Sequence, residues 1–395
     1  MRKTAPTYHE KLLHWIWETR NFNTRSLHTA SGDPVKIHFP GQSNKSDGPD
    51  FSGAQIEIGQ LQWYGDVEIH WKLSDWHAHG HGQDPRYNNV VLHVVFRSTD
   101  QRSLRKDRTS VPTLCLAPQL SHPLEAFLEE YLKHPQLPCS KQLSYISEEA
   151  FARQIKKAHN EYFEQKIDDL LSFYDPDLPP SRAWLKILTV ALFDGLGISH
   201  NRESMRKLCS HLVERITEFD SADDCKRHAL SLSGLLDDSP SPTSYKWNHK
   251  GCRPNNQPRI RIQQAALAFW YIYQQPFGHW MRTPPQKSWK KLIQSIDMAP
   301  SVGPERSSIL FGTVFLPSLY ILGNLFHKTS LKDKAWNLWV NHEVKLPKSL
   351  LKKFHKTELR PALYNNKLGT IHQLRNYCQK GGCQKCFVFK NEIFS

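Results

Sequence analysis

Asp50, Glu68 and His70 are the residues whose types and spacing most invite chemistry. Asp50 follows Pro49, Glu68 comes eighteen positions later, and His70 stands two beyond it. Two carboxylates close enough to share one ion supply hard oxygen donors for Mg²⁺ or Mn²⁺. Such an ion polarises a phosphoryl oxygen and lowers the pKa of an attacking water, and a neighbouring cation stabilises the charge that develops. Lys72 can serve as that cation; His70 can do so too, or can ligate metal or act as a general base. The plain alternative is that Asp50 caps a turn while Asp66, Glu68 and Lys72 form the solvated face of an edge strand.

Two further clusters carry metal-ligand types. His77, His79 and His81 alternate along one segment, with Asp84 three positions on. On an extended chain the three imidazoles share a side and can bind a transition metal with Asp84 as fourth ligand, or they line a pocket or contact phosphate. Near the end, Cys378, Cys383 and Cys386 fall within nine residues around Gly381 and Gly382. That spacing fits a structural Zn²⁺ site, with an Fe–S cluster or buried reduced thiols as alternatives and His372, Cys139 or Cys252 as candidate fourth ligands.

The elements that must position these groups can be read from periodicity. In Asp66–Lys72 the acidic and basic residues alternate with Val67, Ile69 and Trp71, so one strand face is apolar and the other polar. Ala54–Ile58 is a second such run, and Gly59 and Gly65 punctuate the link, which predicts a hairpin. Tyr8–Arg20 predicts an amphipathic helix whose flank carries Glu10, Pro34–Phe39 a strand, and Val90–Phe96 a buried strand in which His93 reads as a satisfied core residue. Gly80, Gly82 and Pro85 argue against a long helix in the segment between. A basic loop follows, with Arg102, Arg105, Lys106 and Arg108, then a strand at Val111–Leu116 and a helix at Pro123–His134.

From residue 147 on, the spacing is helical, and the expected fold class is α+β. Residues 1–140 form a mixed α/β sheet domain, and residues 141–395 an all-α domain ending in the cysteine cluster. Arg253 and Arg259 crowd a short segment with Asn255 and Asn256, where they clamp either a phosphate or the facing domain.

The Pro-Asp and Glu-x-His pair resembles the active site of the PD-(D/E)XK nuclease superfamily. That resemblance implies a metal-dependent nuclease with Asp50 and Glu68 on the metal, Glu10 assisting, and His70 in the usual lysine position. The departure at His70 and the missing helix after the hairpin set this chain apart from the pattern. Over nearly the full chain, the order GPDF, GDVEIH, HGH, YNNV, LG-x3-N, RPNNQPRIR and YC-x4-C-x2-C resembles the domain of unknown function 2851 family, which implies no activity of its own.

Composition limits the rest. The 395 residues suffice for two domains, and 52 basic against 38 acidic residues give a net charge of +14. That excess points to a polyanion, foremost nucleic acid. No apolar run approaches the roughly 18–20 residues of a membrane span, no signal peptide is evident, and eight cysteines make no dense disulfide framework. The expectation is a cytoplasmic, non-membrane protein acting as a Mg²⁺- or Mn²⁺-dependent nuclease or phosphodiesterase with a structural Zn²⁺. The alternatives are a non-catalytic nucleic-acid or protein-binding module with a degenerate nuclease core, and a His/Asp metallohydrolase.

Overall fold

The computed structural model describes residues 10–97, 102–133, 147–198, 200–236, 245–250, 252–351, 354, 359–379 and 385–386. Two compact units emerge, residues 1–134 and 135–395. The boundary expected near residue 140, and the cysteines at 139 and 383, lie outside the described residues.

The first unit begins with helix α1 (Glu10–Thr19). Strands β1 (Leu27–His28), β2 (Pro34–Phe39), β3 (Gln42–Ser43), β4 (Phe51–Ile58) and β5 (Leu61–Lys72) follow. Next come a one-turn helix α2 (Asp75–Ala78), β6 (Val90–Arg97), the short hairpin β7 (Ser103–Leu104) and β8 (Ser110–Val111), β9 (Thr113–Cys115) and helix α3 (Leu124–Lys133). The sheet order is β1-β2-β4-β5-β6-β9, with β3 also on β4. Pairing is antiparallel from β1 to β5 and parallel for β5–β6 and β6–β9. Thr29, just after β1, bridges Leu114 of β9, and the Ala30 N–H donates to the Thr113 carbonyl at 2.7 Å. The sheet therefore curls until its two ends meet, close to a barrel.

The alternation in β5 decides its two faces. Val67 and Ile69 join Leu92 and Val94 of β6 beneath Leu12, Leu13, Ile16 and Trp17 of α1 and Phe127 of α3. Each such side chain contributes about 1.5–3 kcal/mol when fully buried. Glu68 and His70 point the other way and are nevertheless buried, because the segment after β5 folds back over them. The hairpin turn is at Gly59, whose φ of 64° suits glycine.

Gly65 plays a different part from the turn expected of it. It lies inside β5, where an added Cβ would come within 2.5 Å of the Asn89 carbonyl oxygen and of a Val91 methyl. The residue is small so that β6 can approach. Gly65→Ala is therefore expected to destabilise the protein by about 1–3 kcal/mol through overpacking, read as a lowered urea midpoint at unchanged slope. An unchanged midpoint would refute this account.

The second unit is helical among its described residues. Helix α4 (Glu148–Leu171) starts at Ser147, whose hydroxyl accepts the Ala150 N–H, with Glu148 and Glu149 in the first turn. Helices α5 (Pro180–Leu196), α6 (Arg202–Glu214), α7 (Ala222–Leu232) and α8 (Pro258–Gln274) follow. One continuous helical stretch, Pro304–Leu325, has 22 residues and is apolar enough to cross a membrane, which corrects the expectation that no run reaches that length. Its Leu310, Phe315, Leu316, Leu319 and Leu322 belong to the buried core of this unit, so it packs as a central core helix.

Candidate metal centre

The polar face of β5 carries the site. Glu68 and His70 project from neighbouring same-face positions, and the parallel register places His93 of β6 beside Glu68. The His70 Nδ1 lies 2.9 Å from the His93 Nε2, and the His93 Nδ1 lies 2.6 Å from the Ser103 hydroxyl. This row has two self-consistent proton arrangements. In one, each imidazole donates from Nδ1 toward Ser103, which leaves the His70 Nε2 lone pair facing the site. In the other, Ser103 donates, the protons sit on both Nε2 atoms, and His70 donates to Glu68. A bound cation selects the first, since the outer partner of a ligating histidine fixes its tautomer.

The covering segment supplies the other histidines. The Asp75 carboxylate accepts the Lys72 N–H at 3.0 Å, and α2 makes a single turn in place of the long helix that the glycines and Pro85 argue against. Gly80, with φ of 72°, reverses the chain, so His79 and His81 reach His70 from either side of a bend and not along an extended strand. The His79 Nδ1 is 3.1 Å from the His70 Nε2. The Glu68 Oε1 is 3.3 Å from the His70 Nε2 and 3.1 Å from the His81 Nε2. One nitrogen from each of His70, His79 and His81 falls within 4.8 Å of the others. Trp76 is fully buried and is anchored by its indole N–H to the Leu104 carbonyl at 2.9 Å. Tyr87 stacks on His81 with centroids 3.8 Å apart. These two rings fix the bend that carries the imidazoles.

These separations fit a metal. Bonds of about 2.0–2.1 Å to nitrogen or oxygen in a tetrahedral site give ligand–ligand edges of about 3.3 Å. His70, His79 and His81 can therefore hold a metal ion. Burial is what makes them ready. It drives the pKa of His70 down to about 2, helped by the neighbouring His93, His81 and His79, and that of His93 to about 3, helped by His81. Both stay neutral and keep a lone pair at any working pH.

The carboxylates sit at the rim of the same site. The Asp50 N–H donates to the Glu68 Oε2 at 2.9 Å, and the Asp50 Oδ2 accepts the Ile69 N–H at 3.2 Å. That reciprocal pair locks β4 to β5 and sets the Glu68 rotamer. His14, on α1, lies 3.3 Å from the Asp50 carboxylate. Burial disfavours its charge, but the Asp50 carboxylate outweighs that and raises its pKa. Glu10 is raised by burial and by the field of Asp50, so it belongs to the same electrostatic neighbourhood.

The remaining candidates are placed elsewhere. Lys72 is exposed at the end of β5. The His77 Nε2 meets the Arg102 carbonyl at 2.9 Å. Asp84 caps the turn at Pro85 and pairs with Arg86 at 2.6 Å, which holds its carboxyl below the usual range. Arg253 and Arg259 lie in the helical unit, where Arg259 donates to the Leu236 carbonyl at 3.0 Å. There, too, Gln373 Nε2 lies 3.6 Å from the Cys378 sulfur and 3.5 Å from the Cys386 sulfur, so those two thiols converge. His372, a candidate fourth ligand, has its Nε2 3.4 Å from Glu161 and its Nδ1 2.9 Å from Asn376.

Sequence reasoning missed His14. The signal was present, since His14 follows Glu10 by four residues and so shares its helix face. His93 is the satisfied core histidine that the sequence suggests, buried and bonded to His70 and Ser103.

No curated protein and no solved structure matches this chain. Residues 10–246 match the family described as "Protein of unknown function (DUF2851)". That match takes in the whole first unit from α1 onward, with every histidine and carboxylate of the site, and the chain belongs to the DUF2851 family.

Proposed function

We propose that this protein is a metal-dependent hydrolase of phosphodiester bonds in nucleic acid, with its metal on His70, His79, His81 and Glu68. The observation that carries the reading is that one nitrogen from each of His70, His79 and His81 lies within 4.8 Å of the others, with the Glu68 Oε1 3.3 Å from His70 and 3.1 Å from His81. An imidazole-rich donor set favours a transition ion such as Zn²⁺ over Mg²⁺. The bound ion supplies Lewis acidity toward a phosphoryl oxygen and acidifies a water.

The chain's own residues do the rest. His93 and Ser103 accommodate the His70 tautomer that turns the Nε2 lone pair to the site. Asp50 holds Glu68 in place through its backbone N–H and, with Glu10 and His14, forms the acid–base group able to accept or return a proton. Lys72, exposed on the same strand face, offers a cation to a phosphate. The PD-(D/E)XK likeness supports this substrate class: Asp50, just before β4, is hydrogen-bonded to Glu68 of β5, and Glu10 of α1 lies in its field. The charge of +14 favours a polyanionic substrate.

Cleavage of labelled single- and double-stranded DNA and RNA with Zn²⁺, Mn²⁺ or Mg²⁺ tests this. Wild type is expected to cut at least one substrate, and Glu68→Gln to lose about 10²–10³-fold in rate with the fold intact. A folded, metal-loaded wild type that cuts none of them refutes the nuclease reading. Salt-sensitive binding without turnover would then identify a binding module.

A further inference from the structure

The helical unit holds a cavity of about 780 Å³, within the range of about 300–1,000 Å³ typical of small-ligand sites. Its charge is lopsided. Lys166, Arg202, Arg206, Arg306 and Arg375 line it, against the carboxylates of Asp169 and Asp194. The acids are already engaged: Lys166 meets Asp169 at 2.5 Å, and Asp194 takes Arg202 at 2.7 Å and Arg206 at 2.6 Å. Arg306 makes no ion pair or hydrogen bond among the described residues, and its Nε is buried.

Arg306 is half-buried, and a buried Nε without an acceptor is costly. Burial, followed by the fields of Arg261 and Arg202, lowers its pKa to about 10, and Arg202 itself lines the cavity. Further along the helix that carries Arg306, Ile309, Leu310 and Val314 give the cavity an apolar lining. Such a combination is complementary to a small anion that carries an apolar or planar body.

We propose that this cavity is a binding site for a phosphorylated small molecule of about nucleoside monophosphate size, whose phosphate is taken by Arg306 with Arg202 and Arg206. Planar guanidinium forks suit phosphate oxygens, and the apolar wall of the Pro304–Leu325 helix receives the rest of the molecule. The site lies wholly in the second unit and does not depend on the metal centre.

Calorimetric titration of the full chain with inorganic phosphate, pyrophosphate and the four ribonucleoside monophosphates tests it. At least one nucleotide is expected to bind saturably and more tightly than inorganic phosphate, and Arg306→Met to weaken it at least 10-fold. Glu68→Gln, in the first unit, should leave the affinity unchanged. Thermal unfolding separates a ligand-binding arginine from a structural one. Without ligand, Arg306→Met should melt at the same or a higher temperature, because a half-buried guanidinium with an unpartnered Nε is removed. The proposal is overturned if no probe binds wild type below about 5 mM, if Arg306→Met binds as wild type does, or if that variant melts lower in the absence of ligand.

Discussion

His81→Ala is expected to lower metal affinity at least 10²-fold and to abolish metal retention through dialysis. The His81 Nε2 lies 3.1 Å from the Glu68 Oε1, and its ring is clamped by Tyr87 at 3.8 Å. The residue thus offers a pre-positioned donor whose loss leaves an incomplete ligand set. Loss of an outer partner of a ligand costs about 10–100-fold, and loss of a ligand itself costs more. His93→Gln should therefore fall between wild type and His81→Ala, since His93 only orients His70. His77→Ala, whose ring turns to the Arg102 carbonyl, should retain wild-type stoichiometry. Metal content after gel filtration, with competition against a chromophoric chelator, reads all three. Equal retention by wild type and His81→Ala would remove this residue from the site.

The metal-free protein should be acid-labile well above the range where carboxylates titrate. His70 and His93 take up a proton below about pH 6.5 in the unfolded chain, yet burial keeps them neutral in the folded one down to about 2 and about 3. Between those limits the unfolded state binds more protons, so stability falls as pH drops. The slope is about 1.4 kcal/mol per pH unit for each group, or roughly 5 kcal/mol for the two by pH 4.5. His14 acts in the opposite sense, because Asp50 raises its folded pKa, and it offsets part of the loss. Chelator-treated protein melted between pH 7.5 and 4.5 should lose stability steadily from about 6.5, and His93→Gln should halve the slope. A flat profile down to pH 5 would show that these imidazoles are not held neutral.

How much of this could be read in advance depends on the range of the interaction. Pro34–Phe39 and the alternation of Asp66–Lys72 are local, and β2 and β5 fall on them. The glycines at 80 and 82, with Pro85, excluded a long helix for the right physical reason, and the segment makes only short turns. What could not be read was where those turns aim their side chains. The bend at Gly80 gives His79 and His81 to the site and His77 to another loop, a choice set by backbone sign at one residue. The link from His70 to His93 depends on parallel register between strands twenty-three positions apart, which no local pattern encodes. The sequence pairs Glu68 with Asp50; the fold also sets it against His70 and His81, while Asp50 accepts the Ile69 N–H.

The meeting of β1 and β9 also bears on how this chain behaves in company. An open sheet presents a row of unused N–H and C=O groups, which recruit foreign strands. Here the terminal strands are two and three residues long, and Thr29 joins one to the other at Leu114. Little template is left at these two ends for strand invasion.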